Sequence, residues 1–318
     1  MESFATSPAP RDPEVPGTSI PAGYGRELPG RGRSVLVTGA SSGLGLETCV
    51  HLAGLGFHVY ATMRDLGRAA GLEARARAAG VPIALGRLDV TEDDSIRAAV
   101  DEIERAEGPL YGLVNNAGII VRGYFEDLRE EEIERIFRTN LFGPMAVSRA
   151  ALPGMRKAGG GRIVMIGSTG GRLGLAGSSA YCTAKFALAG FSESLAQEVV
   201  PFGIRVVLVE PAIIRTELFG QNLGIARGAR DPASPYAARF EALLSLSLDR
   251  SRRSGLSAVD VAKAVEKVLL MNKPPMRMTV GSRARALLLL KRIAPEEAFQ
   301  RVFTWAFFRK LERAGKRG

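Results

Sequence analysis

The 318-residue chain has two cysteines, Cys49 and Cys182, two histidines, His51 and His58, and no Cys-x-x-Cys pair. Two thiols are too few for a disulfide framework and fit a reducing compartment. So few histidines and cysteines leave no zinc ligand set, which argues against a zinc-dependent dehydrogenase and against any resident metal. Long apolar runs are absent as well. The four leucines Leu287–Leu290 fall far short of the ~18 apolar residues that cross a bilayer. Residues 1–31 hold Pro8, Pro10, Pro13, Pro16, Pro21 and Pro29 among Gly, Ser and charged residues. They contain no apolar core of a secretory signal and are expected to be disordered. These absences point to the cytoplasm.

What remains is ordinary for a globular domain, with 46% hydrophobic and 24% charged residues. Net charge is +10, but ten Lys/Arg against three Asp/Glu between Arg283 and Gly318 place +7 of it in the last stretch. A surplus confined to a terminal appendage rich in aromatics is a poor signature of nucleic-acid binding.

Short apolar runs recur at Ser34–Thr38, His58–Thr62, Ile83–Asp89, Gly112–Asn115, Arg162–Gly167, Arg205–Glu210 and Met276–Val280. Between them, Leu44–Leu55, Asp93–Arg105, Glu130–Met155 and Tyr181–Val200 carry helical periodicity. Several runs lack in/out alternation, as strands buried on both faces do. The pattern predicts an α/β fold, a doubly wound parallel sheet of Rossmann type, in one domain over residues 32–281. Residues 212–255 break the pattern after a strand's C-terminal end, around the apolar stretch Phe240–Leu248, and are expected to form a lid over substrate. Residues 282–318 form a basic, amphipathic helical extension.

Val35-Leu36-Val37 leads into Thr38-Gly39-Ala40-Ser41-Ser42-Gly43-Leu44-Gly45 and then a helix. Gly39 permits a tight turn, while Gly43 and Gly45 let backbone and helix approach a pyrophosphate at the helix N-terminus. The second strand ends in Met63-Arg64, with no acid until Asp65 to meet a ribose 2′-hydroxyl. Arg64 offers a guanidinium fork for a 2′-phosphate, with Ser41 and Ser42 as further donors, which favours NADP over NAD. An alternative is a surface Arg64 that pairs with Asp65. Asp89-Val90 ends the third strand where adenine would lie. Asn115-Asn116-Ala117-Gly118 ends the fourth, where small residues admit the cofactor.

Tyr181 and Lys185, four apart on a helix, share one face. A free tyrosine titrates near ~10, too high for proton transfer at neutral pH, and a neighbouring ammonium should lower it. Ser168, at the end of an apolar strand, can hold the oxygen of a carbonyl or alcohol.

On Thr38–Gly45, Asp89, Asn115–Gly118, Asn140, Ser168, Tyr181-x-x-x-Lys185 and Pro211–Thr216, the chain resembles the short-chain dehydrogenase/reductase family across Ser34–Thr216. The resemblance implies that Tyr181 is the general acid/base and that Lys185 lowers its pKa and binds the nicotinamide ribose. Ser168 would orient the substrate oxygen, and Asn140 would hold a water linking Lys185 to solvent. Thr38, Leu44, Asn116, Ala117, Pro211, Ile214 and Thr216 would join the cofactor contacts, with Ile214 and Thr216 at the carboxamide. It also implies about seven parallel strands and a homodimer or homotetramer. One departure is Pro211-Ala212 in place of Pro-Gly, which should cost little unless φ is positive there. Tyr60–Leu66 and the long C-terminal part resemble the 17β-hydroxysteroid and retinol dehydrogenases, which often use NADP(H) and large apolar alcohols or ketones.

In the tail, Pro295-Glu296-Glu297 is a helix start, and Phe299, Val302, Phe303, Ala306, Phe307 and Leu311 follow at helical spacing beside Arg301, Arg309, Lys310 and Arg313. Such a helix either docks on the lid or a partner subunit, or lies in an anionic membrane interface. The functional expectation is an NADP(H)-dependent alcohol/carbonyl oxidoreductase acting on a steroid-, retinoid- or lipid-like substrate. Alternatives are a reductase of acyl-carrier-bound or other small carbonyls, and a non-catalytic nucleotide-binding regulator.

Overall fold

The computed structural model describes residues 28–215 and 223–315, with side chains as far as Arg313, and the backbone of Ala5–Thr6. In chain order the elements are β1 (Ala5–Thr6), β2 (Ser34–Thr38), α1 (Gly43–Gly54), β3 (His58–Met63), α2 (Ala70–Ala79), β4 (Ala84–Arg87), α3 (Asp93–Glu107), β5 (Gly112–Asn115), β6 (Ile120–Arg122), α4 (Glu130–Phe137), α5 (Gly143–Lys157), β7 (Gly161–Ile166), α6 (Ser179–Val199), β8 (Ile204–Pro211), β9 (Leu223–Ile225), α7 (Ala237–Arg252), α8 (Ala258–Leu270), β10 (Arg277–Val280), α9 (Ser282–Ile293) and α10 (Glu296–Gly315).

Seven strands run parallel in the order β4-β3-β2-β5-β7-β8-β10, with β1 antiparallel on the β4 edge. Residues 34–38 explain why such strands bury both faces. Val35 and Val37 pack with Cys49 and Leu52 of α1 and Val261 and Val265 of α8, while Leu36 points to Ile96 and Val100 of α3 and Val147 of α5. The chain reverses direction across the sheet between β2 and β5, so a crevice opens at their C-terminal ends. Of the segment 1–31, Leu28–Arg31 are held to the body, with the Gly30 amide donating to the Leu55 carbonyl at 2.9 Å, and Ala5–Thr6 pair with the sheet edge. The other residues before Leu28 lie outside the described ones.

The periodic stretch Glu130–Met155 is not one helix. Between α4 and α5 the residues Arg138–Phe142 form a π-helical turn, closed by the Gly143 amide on the Arg138 carbonyl. Pro144 has no N–H, so the Asn140 carbonyl four residues back loses its helical donor, and the turn widens there.

A second, two-stranded sheet pairs β6 with β9 in parallel, Arg122 opposite Ile225, which fastens the segment expected to form a lid to the body. Phe240 of α7 is fully buried in a cluster with Val121, Ala226, Ala229 and, from the catalytic-helix candidate α6, Ala180 and Ala184. The extension is two helices. Phe299 of α10 joins Leu173 and Leu288 in a small cluster, with Phe303 packed against it.

Candidate active site

The glycine-rich turn is stitched to the end of β5. The Asn116 and Ala117 amides both donate to Thr38 Oγ1 at 3.1 Å, and Asn116 Nδ2 donates to the Thr38 and Gly39 carbonyls at 2.9 and 3.1 Å. Gly39 has φ +69°, and a Cβ there would stand 2.7 Å from the Ala117 backbone. At Gly45 a Cβ would meet the Gly39 carbonyl at 2.3 Å. The cradle therefore has the shape it has because neither position carries a side chain.

α1 begins at Gly43 behind Ser42, whose hydroxyl makes no capping bond, and its first turn carries no acid. Its free amides and positive dipole end are therefore open to an anion, with Ser41 and Ser42 beside them. Arg64 does not pair with Asp65, whose carboxylate accepts from the Gly67 amide at 2.9 Å. It lies exposed, its Nε 4.0 Å from Asp89 Oδ2. The other oxygen of Asp89 is taken by the Thr91 amide and hydroxyl at 2.9 and 2.7 Å. Val90 packs under Gly143. Leu44 is buried in the core beneath the turn.

Ser168, Tyr181 and Lys185 meet at the C-terminal ends of β5 and β7. Ser168 Oγ accepts from the Gly170 amide at 3.0 Å, and its hydroxyl favours the Tyr181 phenolate. Gly171 brings this turn against α6, since a Cβ there would stand 2.8 Å from the Lys185 carbonyl. Lys185 is buried, donates to the Ile166 carbonyl at 2.8 Å, and has Nζ 5.9 Å from the Tyr181 ring centre. Burial lowers its pKa from 10.5 to about 8.

The Tyr181 phenol departs from the lowering expected of a Lys neighbour. Burial pushes it up, and the opposing influences are the Ser168 hydrogen bond and the charge of Arg122, while Cys182 adds to the rise. The cation facing this tyrosine was missed in the sequence. Arg122 ends β6, is itself strongly desolvated, and donates from Nη1 to Ser178 Oγ at 2.5 Å. The available signal was a lone cation closing the apolar run Ile119-Ile120-Val121.

Asn140 is fully buried with its side chain spent on one residue. Oδ1 accepts from the Ile119 amide and Nδ2 donates to the Ile119 carbonyl, both at 2.8 Å. The amide thus clamps the segment after Gly118. At the far side, Pro211 ends β8, the Ala212 amide donates to the Val280 carbonyl at 3.0 Å, and no described non-glycine residue has positive φ, so Ala212 is unstrained. Ile214 is tied to the lid, its carbonyl accepting from Ser251 Oγ at 3.1 Å. Thr216 lies outside the described residues.

The residues thus place a nucleotide cradle, a hydroxyl pair and two cations along one edge of a parallel sheet. Residues 33–223 match the family model described as short chain dehydrogenase. Retinol dehydrogenase 8 of Bos taurus is 36% identical over 270 residues, covering 83% of this chain and 86% of that protein. 17-beta-hydroxysteroid dehydrogenase type 1 of Homo sapiens is 34% identical over 264 residues, covering 81% and 80%. The crystal structure of a metagenomic short-chain oxidoreductase in complex with NADP superposes with a TM-score of 0.63 at 25% identity, over 79% of this chain and 98% of that one.

Proposed function

The chain belongs to the short-chain dehydrogenase family, in its retinol- and hydroxysteroid-dehydrogenase-like type, and from that premise we propose that it interconverts an alcohol and a ketone or aldehyde on a large apolar substrate with NADP(H). The Gly39/Gly45 cradle, the uncapped start of α1 and the exposed Arg64 fit a dinucleotide with a 2′-phosphate. Bound there, NADP(H) supplies or accepts the hydride.

The protein's own part is the proton. Tyr181 transfers it at the phenolic oxygen, and Ser168 holds the substrate oxygen against that phenol. Lys185, fixed on the Ile166 carbonyl, would hold the nicotinamide ribose. Arg122 opposes the rise that burial imposes on Tyr181, and the positive charge of an oxidised nicotinamide would add to that effect. A water joining Lys185 to solvent would be held by the Asn140 carbonyl, which Pro144 cannot reach with a donor, because the Asn140 amide is occupied by Ile119.

One observation carries the substrate class. Ala180 and Ala184, which bracket Tyr181 on α6, are buried under Phe240 of the lid helix together with Val121 and Ala226. Apolar packing of this segment on the helix that carries Tyr181 favours an apolar ligand. The related proteins named for retinol and for 17-beta-hydroxysteroids support the same reading.

The test is a panel of retinoid, steroid and long-chain aliphatic carbonyls assayed with NADPH and NADH in parallel, for the native chain and for Tyr181→Phe. Turnover of an apolar carbonyl is expected, falling about 10²- to 10⁴-fold in the variant while NADPH still binds. Undiminished turnover in the variant would refute the role of Tyr181.

A further inference from the structure

We propose that the C-terminal extension is a docking surface for an anionic lipid bilayer, in which outward apolar side chains of α9 and α10 enter the interface within a basic field. The proposal does not depend on which substrate the site takes.

The sequence left two fates for the amphipathic tail, docking on the protein or contact with a membrane. The structure uses different faces for each. Phe299 and Leu311 of α10 are buried, and Phe303 packs with Phe299 against Leu173 and Leu288. Val302, Trp305 and Phe308 follow one another at intervals of three on the outward arc, and Val302 and Trp305 are 64% and 59% exposed. α9 contributes Leu289, Leu290 and Ile293, the last 71% exposed. Six large apolar side chains are left outside on two consecutive helices, more than water alone explains.

Charge identifies the occupant. Arg283–Gly318 carries +7, and Arg301 and Arg309 stand on the same outward arc as Trp305, with the Arg309 guanidinium 5.0 Å from the Trp305 ring centre. Two copies joined through this face would set +7 against +7, which opposes self-association. An interface that offers both negative charge and hydrocarbon satisfies both parts of the surface at once. Among the described residues no helix is long and apolar enough to cross a membrane. Contact is therefore in the plane of the interface, with the α10 side chains that pack on the protein left in place.

Trp305 is the single tryptophan of the chain, so selectively excited tryptophan emission reports this surface alone. The full chain is mixed with phosphatidylcholine vesicles with and without about one-third phosphatidylserine, and cosedimentation and emission are followed. Expected are cosedimentation with the anionic vesicles, a blue shift, and quenching by brominated acyl chains. Leu289→Glu with Ile293→Glu, and separately Arg301→Glu with Arg309→Glu, should each reduce partitioning at least about tenfold. All four positions are exposed, and unchanged thermal unfolding verifies that the variants fold. The proposal is overturned by absence of cosedimentation, by sedimentation without shift or quenching of Trp305, or by equal partitioning onto neutral vesicles. It is equally overturned by a lipid-free, concentration-dependent blue shift, which would make the occupant a second copy, or by a shift seen only with an acidic protein.

Discussion

Arg122 Nη1 stands 2.5 Å from Ser178 Oγ, so the last residue of the strand that holds the lid is joined to the N-cap of the helix that carries Tyr181. The same guanidinium favours the Tyr181 phenolate. On the proposed mechanism Tyr181 accepts a proton in alcohol oxidation, so activity would rise with pH through its pKa. Removing the cation raises that pKa. Arg122→Met is therefore expected to move the rising limb of the kcat/KM profile to higher pH, with Arg122→Lys restoring part of the shift. Ser178→Ala keeps the charge and should move the limb less. An unmoved limb in Arg122→Met would remove Arg122 from the chemistry.

On the proposed function, Arg64 would carry the coenzyme preference. Its guanidinium is exposed and only loosely paired with Asp89 at 4.0 Å, so little must be broken for it to meet a 2′-phosphate. Loss of a charge-assisted contact is worth roughly 1.5–3 kcal/mol, a tenfold to hundredfold effect. Arg64→Ala should raise KM for NADPH by that factor and leave KM for NADH almost unchanged. A parallel rise for both coenzymes would show a structural role instead.

These two arginines also mark where the sequence could be read and where it could not. Arg64 was legible because it ends a strand next to a glycine-rich turn, and Tyr181 and Lys185 because helical spacing alone puts them on one face. Parallel strands such as Val35-Leu36-Val37 declare themselves by being apolar on both sides. Arg122 was invisible as a partner of Tyr181, since 59 residues separate them and only the packing of β6 on α6 brings them together. The break in Glu130–Met155 was missed because Ile133, Ile136, Leu141 and Val147 keep an apolar rhythm that does not register one extra residue in a turn. Helix α2, Ala70–Ala79, leaves only a faint apolar stripe in the sequence because it buries little beyond Leu72 and Ala76.

The depressed Lys185 pKa has a consequence for stability. An ammonium that titrates at about 8 when folded and at 10.5 when unfolded costs the folded state while it is charged. Below about pH 8 the full cost, ~3 kcal/mol at most, is present; between 8 and 10.5 it fades, because only the folded state has lost the proton. Lys185→Met, measured without cofactor, should therefore melt higher than the native chain at pH 7, and this advantage should shrink toward pH 10. A constant difference across that range would contradict the burial argument.

Glu210 is fully buried at the end of β8, where Arg277 Nη1 reaches it at 2.9 Å and Arg172 Nη1 at 3.4 Å. A buried carboxylate that loses its better partner is costly. Arg277→Met should lower the unfolding free energy in urea by about 2–3 kcal/mol, less than a fully orphaned charge because Arg172 remains. Adding Glu210→Gln should recover a large part of it, whereas additive losses would mean that the two residues act separately.

The apolar clusters of the molecule are unequal, and this has a dynamic consequence. The two that sandwich the sheet hold Val35 and Val265 on one side and Leu36 and Met155 on the other. The one under the lid rests chiefly on Phe240 and small alanines, and the one under the tail on Leu173, Leu288 and Phe299. Opening the smaller clusters exposes little surface, so α7 and α10 should exchange their amide hydrogens through local excursions well below the free energy of global unfolding. The strands around Gly39 and Asn116 should exchange only when the whole sheet comes apart. A fold layered in this way keeps its glycine-rich turn rigid while the helices packed over its outer clusters breathe.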